Sequence, residues 1–195
     1  EQLRRLDLLY PCFCSRSEIA AAAQGTDPDG APLYPGTCRH LRPEAIEQRL
    51  AAGHQPQWRL HGARAIELAG VLTYTIAQPT PLDRPQIRYA RPELWGDLVI
   101  QRKDTPTSYH LSVVADDDAQ GITHVTRGRD MEPATDIHVL LQFLLGLRSP
   151  TYTFHRLLLA GDGRKLAKSR GSETLADLRA AGWTAADVRA ELGFG

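Results

Sequence analysis

The sequence predicts a mixed α/β protein with a small metal-binding insert near its start. In the second half of the chain, short β-branched and apolar runs alternate with helical patterns, as in parallel nucleotide-binding sheets. In the first fifth, all three cysteines cluster beside turn-forming residues. A chain of 195 residues suits one domain that carries such an insert. We therefore expect a metal-binding and connector part over residues 1–92 and a nucleotide-binding part over residues 93–195.

The composition limits the classes of function. Hydrophobic residues make up 42% of the chain and charged residues 24%, which excludes a disordered protein. No run of about 18 apolar residues occurs and no export signal is visible, so we expect a cytoplasmic protein without a membrane partner. The formal net charge of zero neither favours nor excludes a nucleic-acid partner.

The chain opens on Glu1, without a methionine, inside a helical pattern of leucines at positions 3, 6 and 9. A natural protein rarely begins in this way. We therefore expect that an N-terminal part precedes this sequence.

Local signals define the elements of the first half. Pro43 is a favoured first residue of a helix, and Gly53 is a typical stop signal. β-Branched and aromatic residues, as in Val71–Ile76, favour strands. The predicted elements are a helix over Ser15–Gln24, a helix from Pro43 to Gly53, two or three short strands within 57–76, and a proline-rich connector over 78–92.

The second half shows the alternation of strands and helices. Thr184 is a predicted N-cap, and Asp162-Gly163 is a predicted turn. Strands are predicted at Gly96–Ile100, Ile122–Thr126 and His155–Ala160, helices at Thr135–Gly146, Glu173–Ala181 and Thr184–Leu192, and a buried apolar segment at Ser108–Ala115.

Cys12, Cys14 and Cys38 predict a metal site. Their odd number, their clustering and the lack of an export signal argue against disulfides. The sequence Cys-Phe-Cys puts two thiolates one residue apart, and a Pro-Gly turn before Cys38 brings the third one back. The alternative is a set of three reduced structural cysteines without a metal.

Zinc takes four ligands in a tetrahedron and prefers thiolate among protein ligands. Residue chemistry alone leaves two choices for the fourth ligand. One is His40, two residues after Cys38, and the other is Tyr34.

Collinear segments of the second half carry a resemblance to a known family. These segments are Gly96–Asp104 followed by Ser108–Asp117, then Gly121–Asp130, then Lys165–Ser169. In this order and spacing they resemble the catalytic domain of the class I glutamyl-tRNA synthetase family, over roughly residues 96–175. The resemblance implies the second half of a Rossmann-like catalytic domain, with the zinc-binding insert before it.

The resemblance also implies roles for single residues. Tyr109 and Arg127 match residues that hold glutamate, and an arginine fork can hold a carboxylate through two hydrogen bonds. The segment from Lys165 to Ser169 resembles the KMSKS loop, whose lysines supply positive charge to the phosphates of ATP. Lys168 would contact ATP, which is expected to carry Mg²⁺. From the residues alone, Tyr109 would be a core aromatic, Arg127 a surface charge and the pentapeptide a basic turn, and Ala167 departs from the serine of the signature.

The first half selects a subgroup of the family. Its Tyr-Pro-Cys-Phe-Cys and Tyr-Pro-Gly-Thr-Cys segments resemble the zinc element of the shortened member that modifies queuosine in tRNA(Asp). There the zinc ligands match Cys12, Cys14, Tyr34 and Cys38, which favours Tyr34 over His40. The few residues after Lys165–Ser169 also favour the shortened member, since an anticodon-binding domain is not expected in them.

The function implied by this resemblance is ATP-dependent activation of L-glutamate without tRNA, followed by transfer of glutamate to queuosine at the wobble position of tRNA(Asp). We expect a monomer. The alternatives are a part of an ordinary glutamyl-tRNA synthetase and a non-catalytic, zinc-stabilised RNA-binding module. The HIGH-type signature of the class is not found in the sequence, so we expect it in an N-terminal part, and we expect these 195 residues alone to lack activation activity.

Overall fold

The computed structural model describes residues 1–77, 84–167 and 171–194. The chain forms two compact units, Glu1–His155 and Arg156–Gly195. The boundary that the sequence suggests at residue 92 lies within the first unit, where both sheets contain strands from either side of it. No helix of the described residues is long and apolar enough to cross a membrane.

The strands are β1 (Leu9–Cys12), β2 (Gln57–Leu60), β3 (Thr73–Ile76), β4 (Gln86–Tyr89), β5 (Val99–Gln101), β6 (His124–Gly128) and β7 (Thr151–His155). The α-helices are α1 (Gln2–Arg5), α2 (Arg16–Ala22), α3 (Pro43–Ala51), α4 (Gly62–Ala69), α5 (Tyr109–Ala119), α6 (Ala134–Leu145), α7 (Leu175–Ala180) and α8 (Ala185–Glu191). Short 3-10 helices cover Pro92–Trp95 and Arg129–Met131.

Two sheets organise the first unit. One has the order β1-β2-β5 and is antiparallel, with Cys12 opposite Gln57. The other has the order β4-β3-β7-β6, in which β7 runs parallel to both β3 and β6. The predicted parallel sheet is therefore present, with the antiparallel strand β4 at one edge.

Helix α6 lies in the core of the first unit. Its residues are apolar around most of the helix, a pattern typical of a helix that is buried on all sides. Ile137, Leu140 and Leu144 pack in the cluster that contains Leu60 of β2, whereas Val139 packs with the aromatic side chains of the parallel sheet. The side chain of Phe143 is the exception, being half exposed.

Several predicted elements are confirmed, and some require correction. The helices after Ser15, Thr174 and Thr184 are confirmed, and each of these residues caps its helix through its side chain. Within 57–76 the chain forms two strands with helix α4 between them. The predicted buried segment Ser108–Ala115 is the start of helix α5, and the connector over 78–92 contains strand β4.

The predicted strand His155–Ala160 is wrong. The strand is β7, which covers Thr151–His155 and ends where the prediction began. Leu158 and Leu159 are 44% and 59% exposed, so the apolar run after His155 is not a buried strand. A short apolar run does not by itself distinguish a buried strand from an irregular segment, whereas the alternating Thr-Tyr-Thr-Phe sequence before it is a true strand signal.

The buried carboxylate of Asp97 links the antiparallel sheet to Arg39, the residue after Cys38. Asp97, 3% exposed, accepts hydrogen bonds from the Tyr10 hydroxyl, from Arg39 Nε at 2.7 Å and from the Gly62 backbone N–H at 2.9 Å. Its backbone carbonyl accepts from Arg59 Nη1 at 2.8 Å. Burial, and then the hydrogen bond to this carboxylate, raise the pKa of Tyr10.

The Gly62 site leaves no room for a side chain. A Cβ atom there would lie 2.6 Å from the carbonyl oxygen of Gly96, which is backbone and cannot turn away. We predict that Gly62→Ala lowers the free energy of unfolding by roughly 1–3 kcal/mol, measured by urea denaturation. Gly25→Ala is the matched control, because its Cβ would meet Leu33 at an ordinary 3.7 Å. Equal stability of the two variants would contradict this close approach.

Candidate functional site

The three cysteines converge on one point of the structure. Cys12 ends strand β1, Cys14 follows it, and Cys38 comes from the turn before helix α3. Their sulfur atoms all lie within 4.8 Å of one another, and Cys14 Sγ is 3.5 Å from Cys38 Sγ. The cluster is largely buried, with Tyr10 and Ile19 packed around it.

Tyr34 adds an oxygen atom to this cluster. Its hydroxyl lies 3.9 Å from Cys14 Sγ and accepts a hydrogen bond from the Cys38 backbone N–H at 2.7 Å. His40 is exposed, and among the described residues the group of close ligand atoms contains the three cysteines but not His40.

These spacings fit a tetrahedral ion. Ligands about 2.3 Å from zinc at tetrahedral angles place neighbouring sulfur atoms roughly 3.8 Å apart. The separations of Cys14 Sγ from Cys38 Sγ and from the Tyr34 hydroxyl fall close to that value. The donor set of three thiols and a phenol therefore fits a zinc ion after small adjustments.

The thiols influence one another electrostatically. Burial opposes ionisation of Cys12, but hydrogen bonds from Tyr34, Arg59 and Gln57 outweigh it and lower the pKa of this thiol to about 7. Burial, the hydrogen bond with Cys38 and the charge of Cys12 raise the pKa of Cys14 to about 11. Burial is also the main cause that raises the pKa of Tyr34. Full ionisation of such a set requires a cation among the ligands.

A second group of polar side chains surrounds Arg127 on strand β6. Pairing of β6 with β7 sets Arg127 opposite Phe154, and its guanidinium carbon lies 5.2 Å from the ring centroid of Tyr152. Nη1 is 3.1 Å from His138 Nδ1, and Nη2 donates to Thr135 Oγ1. The side chain is thus half-buried and held by helix α6, and not a surface charge.

Arg127 has no carboxylate within ion-pair distance among the residues that the structure describes. Its Nε atom is buried and, within the same residues, has no hydrogen-bond partner. Burial lowers the pKa of this guanidinium, although its ordinary value is so high that it remains charged. A half-buried cation with unused N–H groups is suited to bind an anion.

Arg127, Thr135 and His138 together are called the arginine group below. Tyr109 lies beside this group and is more exposed than a core aromatic. It is the first residue of helix α5, and its side chain is 56% exposed. Its ring centroid lies 6.1 Å from that of His138, which is the residue bound to Arg127. The structure therefore places Tyr109 and Arg127 on either side of His138.

A cavity of about 820 Å³ extends from Tyr109 and His110 to Cys14 and Tyr34. Trp95 and Leu98 contribute apolar wall, and basic side chains of Arg16, Arg102 and Lys103 line it as well. Its volume lies within the range of small-molecule sites, which is roughly 300–1,000 Å³.

The segment from Lys165 to Ser169, which resembles the KMSKS loop, belongs to the second unit. Lys165 is exposed and pairs through a β-bridge with Leu159, across the predicted turn at Asp162-Gly163. Asp162 Oδ1 accepts from the Arg164 backbone N–H at 3.0 Å, and Gly163 has a positive φ of 76°. Lys168, the predicted contact of ATP, lies outside the described residues.

Two residues of the arginine group were not identified from the sequence. Thr135 and His138 are buried in helix α6, where their polar side chains stand three residues apart on one face. The signal for them is present in the sequence, because polar residues at such spacing within an apolar helix require buried partners.

Comparison with known proteins shows the family of the chain. The profile of the family described as tRNA synthetases class I (E and Q), catalytic domain, matches residues 2–186. The glutamyl-Q tRNA(Asp) synthetase of Rhodobacter capsulatus is 41% identical and covers 100% of this chain, which spans 70% of that protein. The protein of the same name from Symbiobacterium thermophilum is 40% identical over 95% of the chain and 55% of its own length.

Two further comparisons concern glutamate–tRNA ligases. The glutamate–tRNA ligase 2 of Nitrosococcus oceani is 35% identical over 94% of this chain, which corresponds to 37% of that protein. The crystal structure of the glutamate–tRNA synthetase from Elizabethkingia anophelis superimposes with a TM-score of 0.61 at 22% identity, and it covers 87% of this chain and 34% of its own. This last comparison concerns the fold alone.

The chain thus spans 55–70% of the length of these glutamyl-Q tRNA(Asp) synthetases, and 95–100% of the chain matches them. The chain therefore belongs to the class I tRNA synthetase family (E and Q), whose catalytic domain it matches, and it is similar to glutamyl-Q tRNA(Asp) synthetases.

Proposed function

We propose that the protein activates L-glutamate with ATP, without needing tRNA for this step, and transfers the glutamate to queuosine at the wobble position of tRNA(Asp). The observation that carries this proposal is the half-buried guanidinium of Arg127 beside Tyr109, which has no acidic partner among the described residues. One carboxylate of glutamate would supply the missing negative charge.

The proposed chemistry has two steps. A glutamate carboxylate oxygen attacks the α-phosphate of ATP, pyrophosphate leaves, and a glutamyl-adenylate is formed. A hydroxyl of the queuosine cyclopentenediol then attacks the activated carbonyl carbon, AMP leaves, and the hydroxyl proton passes to solvent or to the leaving phosphate. Because an adenylate is a mixed anhydride, no protein nucleophile is required.

In this proposal the protein supplies binding and electrostatic stabilisation. Arg127 and Tyr109 hold glutamate, while Lys165 and Lys168 offset the negative charge that develops on the phosphates of Mg²⁺-bound ATP. Lys168 is the residue that we propose as an ATP contact. The serine hydroxyl of the KMSKS signature is missing at Ala167, but both cations of the loop are kept.

The cavity next to Tyr109 is the proposed approach for the nucleoside that accepts glutamate. Its volume suffices for a nucleotide, and Trp95 offers an aromatic wall. The positive side chains of Arg102 and Lys103 would contact the neighbouring phosphates.

We further propose that one structural zinc ion is held by Cys12, Cys14, Tyr34 and Cys38. The spacing of their ligand atoms and the fit to a tetrahedron support this set. When bound, zinc would offset most of the negative charge of the thiolates and fix the segment of residues 12–38 against strand β2. His40 is the less suitable fourth ligand because it is exposed.

A metal analysis tests the zinc proposal. We predict that Cys38→Ser purifies with far less than one equivalent of zinc, since one of three thiolates is lost, and that Tyr34→Phe lowers the affinity for zinc in competition with a chelator. His40→Ala is the matched control and should retain full stoichiometry. Full zinc content in Cys38→Ser, or zinc loss in His40→Ala, would contradict the proposed ligand set.

Pyrophosphate exchange tests the glutamate site. In the complete product of the gene, we predict that Arg127→Gln raises the KM for glutamate roughly 10–100-fold, since a charged hydrogen bond to substrate contributes about 1.5–3 kcal/mol. The KM for ATP should change little. Arg129→Lys is the control, because this side chain is 70% exposed and lies two residues away. An unchanged KM for glutamate in Arg127→Gln would refute the assignment.

The second candidate function is that of an ordinary glutamate–tRNA ligase, which the similarity to the Nitrosococcus oceani protein supports. An acceptor assay separates the two. We predict that radiolabelled glutamate is attached to tRNA(Asp) that contains queuosine, and not to tRNA(Asp) that lacks it or to tRNA(Glu). Charging of tRNA(Glu) would favour the second candidate, and binding of tRNA without any charging would favour a non-catalytic module.

A further inference from the structure

A chain of hydrogen bonds leads from the arginine group into the core. Arg127 Nη1 lies 3.1 Å from His138 Nδ1, and His138 Nε2 lies 3.1 Å from His110 Nδ1. The ring of His110 is in turn packed edge-on against Trp95, with the centroids 5.6 Å apart. Two histidines thus connect the cation on strand β6 to helix α5.

The donors and acceptors along this chain are fixed by the chemistry of arginine. A guanidinium can only donate, so His138 Nδ1 must accept and carries no proton. A neutral imidazole then has its proton on Nε2, which donates to His110 Nδ1. His110 is left with its own proton on Nε2. Each histidine therefore has one defined tautomer.

Burial keeps His138 in the neutral form that this chain requires. Its side chain is only 2% exposed, and the charged and titratable groups that act on it are Arg127 and His110. Burial first, then the charge of Arg127 and the proximity of His110, lower the pKa of His138 to about 3. Burial also lowers the pKa of His110.

A second acceptor on the same helix face completes the support. Thr135 precedes His138 by three residues on helix α6, is fully buried, and accepts from Arg127 Nη2. Each terminal nitrogen of the guanidinium thus has one acceptor behind it. This arrangement limits rotation of the guanidinium about its bonds and leaves its other N–H groups for a ligand.

We propose that His138 is a positioning residue for glutamate binding: held in one tautomer by its hydrogen bonds with Arg127 and His110, it orients the guanidinium of Arg127 toward the carboxylate of the substrate. This inference rests on the proposed role of Arg127 and deepens it. His138 itself need not contact the substrate. Its contribution is to remove the cost of ordering the arginine when glutamate binds.

Three variants of His138 separate this role from a merely structural one. Asparagine places an amide oxygen where Nδ1 stands, glutamine places its polar group where Nε2 stands, and leucine has neither. In pyrophosphate exchange with the complete gene product, we expect His138→Asn to keep the KM for glutamate within about threefold of wild type. His138→Gln and His138→Leu should raise it about tenfold or more, with kcat and the KM for ATP changed by less than about threefold.

Two kinetic results would overturn the proposal. One is an unchanged KM for glutamate in His138→Leu, and the other is the same increase in all three variants. If wild type shows no glutamate-dependent exchange, or if Arg127→Gln leaves the KM for glutamate unchanged, the proposed function fails instead. Circular dichroism and thermal unfolding of each variant verify that it is folded.

A spectroscopic measurement tests the geometry independently of activity. Long-range ¹H–¹⁵N correlation spectra of the histidine rings should show His138 as the neutral tautomer with its proton on Nε2. In His110→Leu this preference should weaken, because the acceptor of that proton is lost. A cationic His138 near neutral pH, or a proton on Nδ1, would overturn the proposal even if the kinetics agreed.

Discussion

Burial of nearly every side chain of helix α6 is the constraint on which most of the first unit depends. Ile137, Leu140 and Leu144 fill the core beneath the antiparallel sheet, and Val139 packs against the parallel sheet. Both sheets therefore share one helix as their common core. The same burial forces each polar side chain of the helix to find a partner, since an unpaired polar group in such a place is costly. The amide nitrogen of Gln142, for example, donates to the hydroxyl of Tyr152 at 3.1 Å, although its buried Oε1 atom has no hydrogen-bond partner among the described residues.

The arginine group is a direct consequence of this constraint. A buried histidine and a buried threonine need donors, and a guanidinium on the adjacent strand supplies them. In return the helix holds the cation of Arg127 at the edge of the core, where it retains N–H groups for an anion. The same guanidinium thus donates to the buried His138 and Thr135 on one side and would bind the carboxylate of glutamate on the other.

The thiol cluster depends on a different buried group. Asp97 binds the side chain of Arg39, which directly follows Cys38, as well as Tyr10 of the strand that ends in Cys12. It also fixes the start of helix α4 through the backbone of Gly62. One carboxylate therefore ties both ends of the cysteine segment to the sheet. This brings the three sulfur atoms together from distant positions in the chain.

The sequence by itself determined the clustered cysteines with Tyr34, most helix bounds, the parallel pairing in the second half, and the resemblance that singles out Tyr109 and Arg127. These features depend on local spacing, on capping residues such as Ser15 and Thr184, and on collinear motifs, all of which can be recognised along the chain. Only the tertiary structure decided that the apolar run after His155 is no strand, and that Arg127 is held by His138 and Thr135. The reason is physical: burial and hydrogen-bond partners arise from elements far apart in sequence, so an apolar run or a single polar residue does not reveal its neighbours.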